Sequence, residues 1–140
     1  MNIDLHLDTS WLFTKHNGCV NLDTQGTIND IQTVSFLDMK TGGVDAAVFT
    51  LYLSDAWQDD NYTDEGNAIE DQIQFLSNHT FGSMARDTEQ AEAIIACGKV
   101  AIFTALEGAR LLGTADPITR FRDLIAYAGL KYITLTHNRN

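Results

Sequence analysis

Four residues combine side-chain types that can do chemistry with positions beside apolar runs. His6 and Asp8 are separated by one residue near the N-terminus. Glu107 ends a long apolar run, and His137 follows another run near the C-terminus. Imidazole nitrogen and carboxylate oxygen are ligands that divalent metals take in proteins. His6, Asp8 and Glu107 are therefore candidate metal ligands, and His137 is a further polar residue at a strand end, where α/β folds place their chemistry.

The spacing in His6-x-Asp8 suggests convergence on one point. Residues two apart on a strand point to the same face, about 7 Å apart along it. The His6 imidazole and the Asp8 carboxylate can therefore converge on one metal ion. The same tripeptide is equally typical of an exposed strand end. Glu107 would need a partner or a cation if buried, but it is also compatible with a water-facing loop, as is His137. His16 and His79 are predicted to lie in a loop or at a helix end with no role.

The elements that must position these residues are short apolar runs rich in β-branched side chains. The predicted strands are Ile3–Thr9, Ala46–Leu53, Val100–Leu106 and Tyr132–Thr136. The last three of these runs are nearly continuous rather than alternating, which is typical of parallel strands covered on both faces.

Helical patterns with readable ends separate the strands. Ser35 and Asp38 form a capping-box pattern, Asp87 can cap a second helix, and Asp116 before Pro117 is an N-cap and N1 pair. The residues predicted to face the core are Ala68, Ile69, Ile73 and Leu76, then Ala91, Ile94 and Ile95, and finally Ile118, Phe121, Leu124, Ile125 and Ala128. Gly42-Gly43, Gly98 and Gly129 are the predicted helix ends.

Strands alternating with helices predict an α/β fold with a parallel sheet, in a single domain over residues 1–140. An open doubly wound sheet and part of a (β/α)8 barrel both fit this order. The first strand is followed by no glycine-rich phosphate loop, so a nucleotide site is not indicated. Four strands are half of a barrel, and polar residues at strand ends are where both architectures place their chemistry.

Composition limits the partners. The sequence has 9 Lys and Arg against 19 Asp and Glu, a net charge of −10, which disfavours nucleic acid or an anionic membrane as a partner. No signal-peptide pattern or membrane-length apolar segment is present. The two cysteines, Cys19 and Cys97, are too few for a disulfide framework. We therefore expect a cytoplasmic protein.

Taken together, the motifs resemble the membrane dipeptidase (renal dipeptidase) family of zinc metallopeptidases, over about the N-terminal half of a member. Members share an H-x-D motif followed by Trp, a Gly-Gly-Val turn, a Glu-Gly strand end and a Leu-Thr-His-Asn strand end. The corresponding residues are His6-Leu7-Asp8-Thr9-Ser10-Trp11, Gly42-Gly43-Val44, Glu107-Gly108 and Leu135-Thr136-His137-Asn138.

The resemblance implies the first four βα units of a TIM-like (β/α)8 barrel of the metal-dependent hydrolase type. It also implies a dipeptide substrate and two zinc ions in a complete site. His6 and Asp8 would bind one zinc, Glu107 would bridge the two, and His137 would contact the substrate and stabilise the tetrahedral intermediate.

The family's remaining ligands, two histidines on later strands, have no counterpart before Asn140. We therefore expect a truncated metallodipeptidase that is inactive as the 140-residue chain alone. Two alternatives stay open: a non-catalytic half-barrel that acts by self-association or by pairing with a C-terminal half, and another metal-dependent amidohydrolase.

Overall fold

The computed structural model describes residues 1–10, 21–23, 27–28, 31–32, 34–52, 65–77, 79–109 and 116–135. Its strands are β1 (Ile3–Leu7), β2 (Thr27–Ile28), β3 (Ile31–Gln32), β4 (Ala46–Leu51), β5 (Gly82–Met84), β6 (Val100–Glu107) and β7 (Leu130–Thr134). Its helices are α1 (Phe36–Thr41), α2 (Glu65–Ser77), α3 (Thr88–Ala96) and α4 (Pro117–Ala128). None of these helices has the length and apolar character needed to span a bilayer.

A parallel sheet of five strands forms the centre of the structure. Strands β1, β4, β6 and β7 lie side by side in chain order. Strand β4 pairs with one edge of β6. On the other edge of β6, β5 pairs with the first half of the strand and β7 with the second half. Successive neighbouring parallel strands are the arrangement predicted for the first four βα units of a barrel.

Strand β5 was not predicted, because Gly82-Ser83-Met84 contains no β-branched residue and is too short to show a pattern. The antiparallel β2–β3 pair was also not predicted. Several predicted boundaries were wrong: β1 ends at Leu7, β4 ends at Leu51, and β6 ends at Glu107. Strand β7 runs from Leu130 to Thr134, two residues early at both ends. Gly129 explains the early start of β7, since its left-handed conformation (φ 68°) turns the chain from α4 directly into the strand.

The core lies where the helices cover the sheet. All six residues of β4 are buried, as predicted for a central parallel strand, and α2 buries the predicted stripe Ala68, Ile69, Ile73 and Leu76. Each large apolar side chain buried in this way contributes about 1.5–3 kcal/mol. The apolar faces of the helices therefore hold the strand ends in fixed positions.

The predicted helix caps are present. Ser35 and Asp38 form the capping box of α1, and the Asp87 and Asp116 carboxylates accept backbone N–H groups at the starts of α3 and α4. The predicted face of α4 was partly wrong, since Ile118 and Ile125 are 60% and 45% exposed. At 3.6 residues per turn, they lie about 80° around the helix axis from the buried residues Leu124 and Ala128.

Gly82 provides a test of packing beneath the sheet. A β-carbon at this position would lie 2.6–2.8 Å from three ring atoms of Phe36, whose side chain is fully buried. We expect Gly82→Ala to lower the free energy of unfolding by about 1–3 kcal/mol, because the ring has no space to retreat into. Urea unfolding measures the change.

The control is Gly42→Ala, whose β-carbon would lie 3.3 Å from the Asp38 carbonyl oxygen on a backbone of ordinary helical conformation. This variant should change the unfolding midpoint far less than Gly82→Ala. Equal midpoints for the two variants would contradict the close contact with Phe36.

A buried histidine joins two segments of the core. The His79 ring lies 5.0 Å from the Phe36 ring and 5.1 Å from the Phe75 ring, and its Nδ1 is 3.7 Å from Asp23 Oδ2. Asp23 also accepts the backbone N–H groups of Thr80 and Phe81. Burial lowers the pKa of His79 below its ordinary 6.5, although the Asp23 carboxylate acts in the opposite direction. His79 therefore has a packing role that was not predicted.

The lowered pKa of His79 makes stability depend on pH. The unfolded chain binds the proton more readily than the folded chain, so the contribution of neutral His79 is complete above pH 6.5 and is lost as pH falls below it. We expect the unfolding midpoint in urea to fall as pH decreases from 7 towards 5. The same decrease in His79→Gln, which cannot titrate, would show that another group is responsible.

Candidate metal centre

Three of the four predicted site residues meet at the carboxyl ends of two strands. His6 lies near the end of β1, Asp8 directly follows that strand, and Glu107 is the last residue of β6. His6 Nε2 is 3.1 Å from Asp8 Oδ1 and 3.1 Å from Glu107 Oε2. All three potential ligand atoms lie within 4.8 Å of one another. The structure therefore brings one nitrogen and two carboxylate donors to one point.

The register of β1 against β4 shifts in the segment that carries His6. Asp4 pairs with Ala47 and Leu7 pairs with Phe49, so three steps on β1 oppose two steps on β4. An extra residue of this kind bends a strand and redirects its side chains. The expected convergence of His6 and Asp8 is present, but it does not arise from simple alternation along a strand, because the register of β1 shifts and Asp8 lies beyond its end.

Thr50 on β4 holds the Asp8 carboxylate. Its hydroxyl is fully buried and lies 2.7 Å from Asp8 Oδ1 and 3.0 Å from the Leu7 carbonyl oxygen. Its own carbonyl oxygen accepts the Ser10 hydroxyl proton. This contact fixes the carboxylate although 59% of the Asp8 side chain is exposed. Sequence reasoning missed Thr50, and the signal was a polar residue inside an otherwise apolar run.

Tyr132 on β7 contacts His6 from the other side. Its phenol oxygen is 3.2 Å from His6 Nδ1 and 2.6 Å from the Leu5 carbonyl oxygen. β7 and β1 are three strand positions apart in the sheet, which in a flat sheet is about 14 Å. The contact therefore requires a strongly curved sheet, as in a barrel wall.

A second bulge lies at Tyr132. Leu130 pairs with Thr104 and Ile133 with Leu106, so three steps on β7 oppose two steps on β6. Both side chains that meet across the curved sheet, His6 and Tyr132, thus lie in irregular strand segments. Tyr132 was not predicted as a site residue. The only indication in the sequence was that it lies five positions before His137, which directly follows the same predicted strand.

The site has a strongly acidic environment. Burial raises the pKa of Tyr132 above its ordinary value of 10.0, and the negative charges of Glu107, Asp8 and Asp4 raise it further. The phenol therefore keeps its proton at neutral pH. Closely spaced carboxylates that disfavour another negative charge favour a bound cation.

The donor set fits a divalent metal. Ligands about 2.0–2.1 Å from a tetrahedral zinc ion lie about 3.3 Å from one another, close to the 3.1 Å that separates His6 Nε2 from both carboxylates. Glu107 is only 13% exposed, whereas His6 is 46% exposed. Glu107 therefore forms the buried side of the cluster, and His6 lies on the side that solvent can reach.

His137 lies outside the described residues, so its predicted place remains a prediction. β7 ends three residues earlier at Thr134, which pairs with Glu107.

Comparison with known proteins identifies the family. The profile of the membrane dipeptidase family, peptidase family M19, matches residues 1–140. The chain therefore belongs to the membrane dipeptidase family of metallopeptidases. This result confirms the resemblance inferred from the motifs.

A solved structure shows the same fold. The crystal structure of dipeptidase AC, a metallopeptidase of family M19, aligns with a TM-score of 0.66 at 17% sequence identity. The alignment covers 99% of this chain and 43% of dipeptidase AC, so this chain spans less than half the length of that protein. The predicted fold, part of a TIM-like barrel, is thus confirmed. A search of curated proteins found no significant match.

The contact between Thr50 and Asp8 predicts a measurable effect on metal affinity. Thr50→Val keeps the side-chain shape but removes the hydroxyl, so the Asp8 carboxylate loses the hydrogen bond from β4. We expect zinc affinity to fall about 10–100-fold, the usual effect of losing a group that orients a metal ligand. Competition with a chromophoric chelator measures the affinity.

Thr104→Val is the matched control. Thr104 is a buried threonine on β6 whose hydroxyl donates to the Ala128 carbonyl oxygen, away from the three candidate ligands. It should lower stability by about 1 kcal/mol and leave zinc affinity unchanged. A similar loss of affinity in both variants would contradict a specific role for Thr50.

Proposed function

We propose that this chain supplies the N-terminal half of the active site of a metal-dependent dipeptidase. The observation that carries the proposal is the convergence of His6, Asp8 and Glu107 within 4.8 Å in a chain of the membrane dipeptidase family. His6 and Asp8 would hold one zinc ion, and Glu107 would bridge to a second. Bound zinc supplies a Lewis acid and a water molecule of lowered pKa for attack on the peptide carbonyl.

Glu107 is suited to the bridging role. It is the most buried of the three candidate ligands, and it belongs to the central strand β6, which is paired on both edges. A carboxylate has two oxygens and can serve two ions about 3.5–4 Å apart. The pairing of β6 on both edges would hold the Glu107 carboxylate in place for this role.

We further propose that His137 stabilises the developing oxyanion and contacts the dipeptide. The support is the family motif Leu135-Thr136-His137-Asn138 and the pairing of Thr134 with Glu107, which brings β7 to the same end of the sheet as the cluster. Removing one oxyanion donor typically lowers kcat about 10²–10³-fold.

A complete site needs further ligands. Family M19 dipeptidase AC is more than twice the length covered by the match, and we propose that a C-terminal half-barrel supplies the remaining ligands of the second zinc. The 140-residue chain alone would then be inactive towards dipeptides. Open half-barrels also expose apolar side chains: Leu5 on β1 is 65% exposed.

The exposed β1 favours a second candidate function, a non-catalytic half-barrel that self-associates. β1 pairs only with β4 among the described strands, so its other edge can accept a partner strand. Gel filtration distinguishes this function from the first, since a stable assembly without hydrolysis would favour it. Hydrolysis of cyclic amides but not of dipeptides would instead indicate a different amidohydrolase.

The central experiment is dipeptide hydrolysis with added zinc. We compare the 140-residue chain with a protein in which it is completed by the C-terminal half-barrel of a family member. We expect turnover only in the completed protein, and none after Glu107→Gln, because an amide has lost the negative charge and one oxygen ligand. Glu92→Gln, at an exposed position on α3, is the control and should keep full activity.

His137→Ala in the completed protein separates catalysis from metal binding. We expect kcat/KM to fall about 10²–10³-fold while the metal content stays the same. Loss of metal from this variant would show that His137 is a ligand instead. Turnover by the 140-residue chain itself, abolished by Glu107→Gln, would contradict the half-site proposal.

A further inference from the structure

We propose that Tyr132 is a positioning residue that sets the tautomer of His6: its phenol oxygen accepts the Nδ1–H of the imidazole, which leaves the Nε2 lone pair directed at the metal. This inference rests on the proposed function, since it assumes that His6 is a metal ligand. It assigns to β7 a part in metal binding in addition to the proposed role of His137.

The hydrogen-bonding capacity of the phenol decides the direction of each contact. A tyrosine hydroxyl has one proton to donate, and a backbone carbonyl can only accept. The Tyr132 oxygen is 2.6 Å from the Leu5 carbonyl oxygen, so the phenol proton is committed to that bond. The second contact, 3.2 Å from His6 Nδ1, must then be an N–H donated by the imidazole to the phenol oxygen.

The proton on Nδ1 has a direct consequence for Nε2. A metal ion held by Asp8 and Glu107 would take the place of any proton between these oxygens and His6 Nε2, which lies 3.1 Å from both. In the neutral imidazole that remains, Nδ1 bears the proton and Nε2 bears the lone pair. Histidine ligands generally donate their second N–H to an oxygen acceptor, which fixes the ring and its tautomer. Tyr132 has the position and the chemistry of such an acceptor.

The backbone around the pair supports the same assignment. The Asp4 carboxylate, two residues from His6 on the same strand, accepts the backbone N–H of His6 at 3.0 Å. Tyr132 also bonds to the carbonyl of the residue immediately before His6, so one side chain holds both the imidazole and the bulged backbone that carries it. The phenol thus fixes the ring relative to the strand.

The test compares Tyr132→Phe with Tyr127→Phe, which removes a hydroxyl from a tyrosine that is 41% exposed on α4. We expect zinc affinity, measured by chelator competition, to fall about 10–100-fold in Tyr132→Phe and to stay unchanged in Tyr127→Phe. Circular dichroism checks that both variants are folded.

Proton NMR of the cobalt-loaded protein gives a readout that a merely structural role would not move. We expect the His6 Nδ1–H to give a shifted resonance that exchanges slowly with solvent in the unsubstituted protein, and exchanges fast in Tyr132→Phe because its acceptor is gone. Absence of the resonance from His6→Gln assigns it.

The outcomes separate the two proposals. Failure of the unsubstituted chain to bind zinc or cobalt would overturn the proposed metal site and this inference with it. Metal binding with equal affinity and equal exchange rates in both tyrosine variants would overturn the inference alone. If Tyr132→Phe does not fold, ¹⁵N chemical shifts of His6 in the zinc-loaded unsubstituted protein decide, because coordination through Nδ1 is incompatible with the proposal.

Discussion

The curvature of the parallel sheet is the constraint on which the candidate site depends. In a flat sheet the ends of β1 and β7 would be about 14 Å apart, but the Tyr132 hydroxyl bridges them by bonding to both His6 and the Leu5 carbonyl. The same curvature brings β1 and β6 close enough for His6 and Glu107 to meet although β4 lies between them. The cluster is thus a property of the curved sheet rather than of any one strand.

Strand β6 provides the fixed reference for this wall. It is paired along one edge with β4 and along the other with β5 and then β7. Gly129 makes the change of partner possible, since a β-carbon there would lie 2.8 Å from the Ala85 carbonyl oxygen. Because β5 stops where β7 starts, β6 is paired with β4 as far as Leu106 and with β7 as far as Glu107.

Irregular strand geometry is concentrated at the site. The two register shifts of the parallel sheet fall at the segments that carry His6 and Tyr132, while β4 pairs with β6 without interruption. The regular pairing of β4 with β6 forms the centre of the sheet. The irregular segments of β1 and β7 direct His6 and Tyr132 towards the candidate metal centre. The polar contacts from Thr50 and Tyr132 then orient groups that are themselves substantially exposed.

The sequence by itself determined the class of fold, the helix caps and three of the residues that meet at the strand ends. These are local properties: apolar runs specify buried parallel strands, and Asp87 or Asp116 can cap a helix whatever the rest of the chain does. Its motifs also sufficed to indicate the family. Only the tertiary structure decided how the residues are oriented. The bulges, the short strand β5 and the contacts of Thr50 and Tyr132 with the site depend on pairing between distant segments, up to 127 residues apart, and no local pattern encodes them.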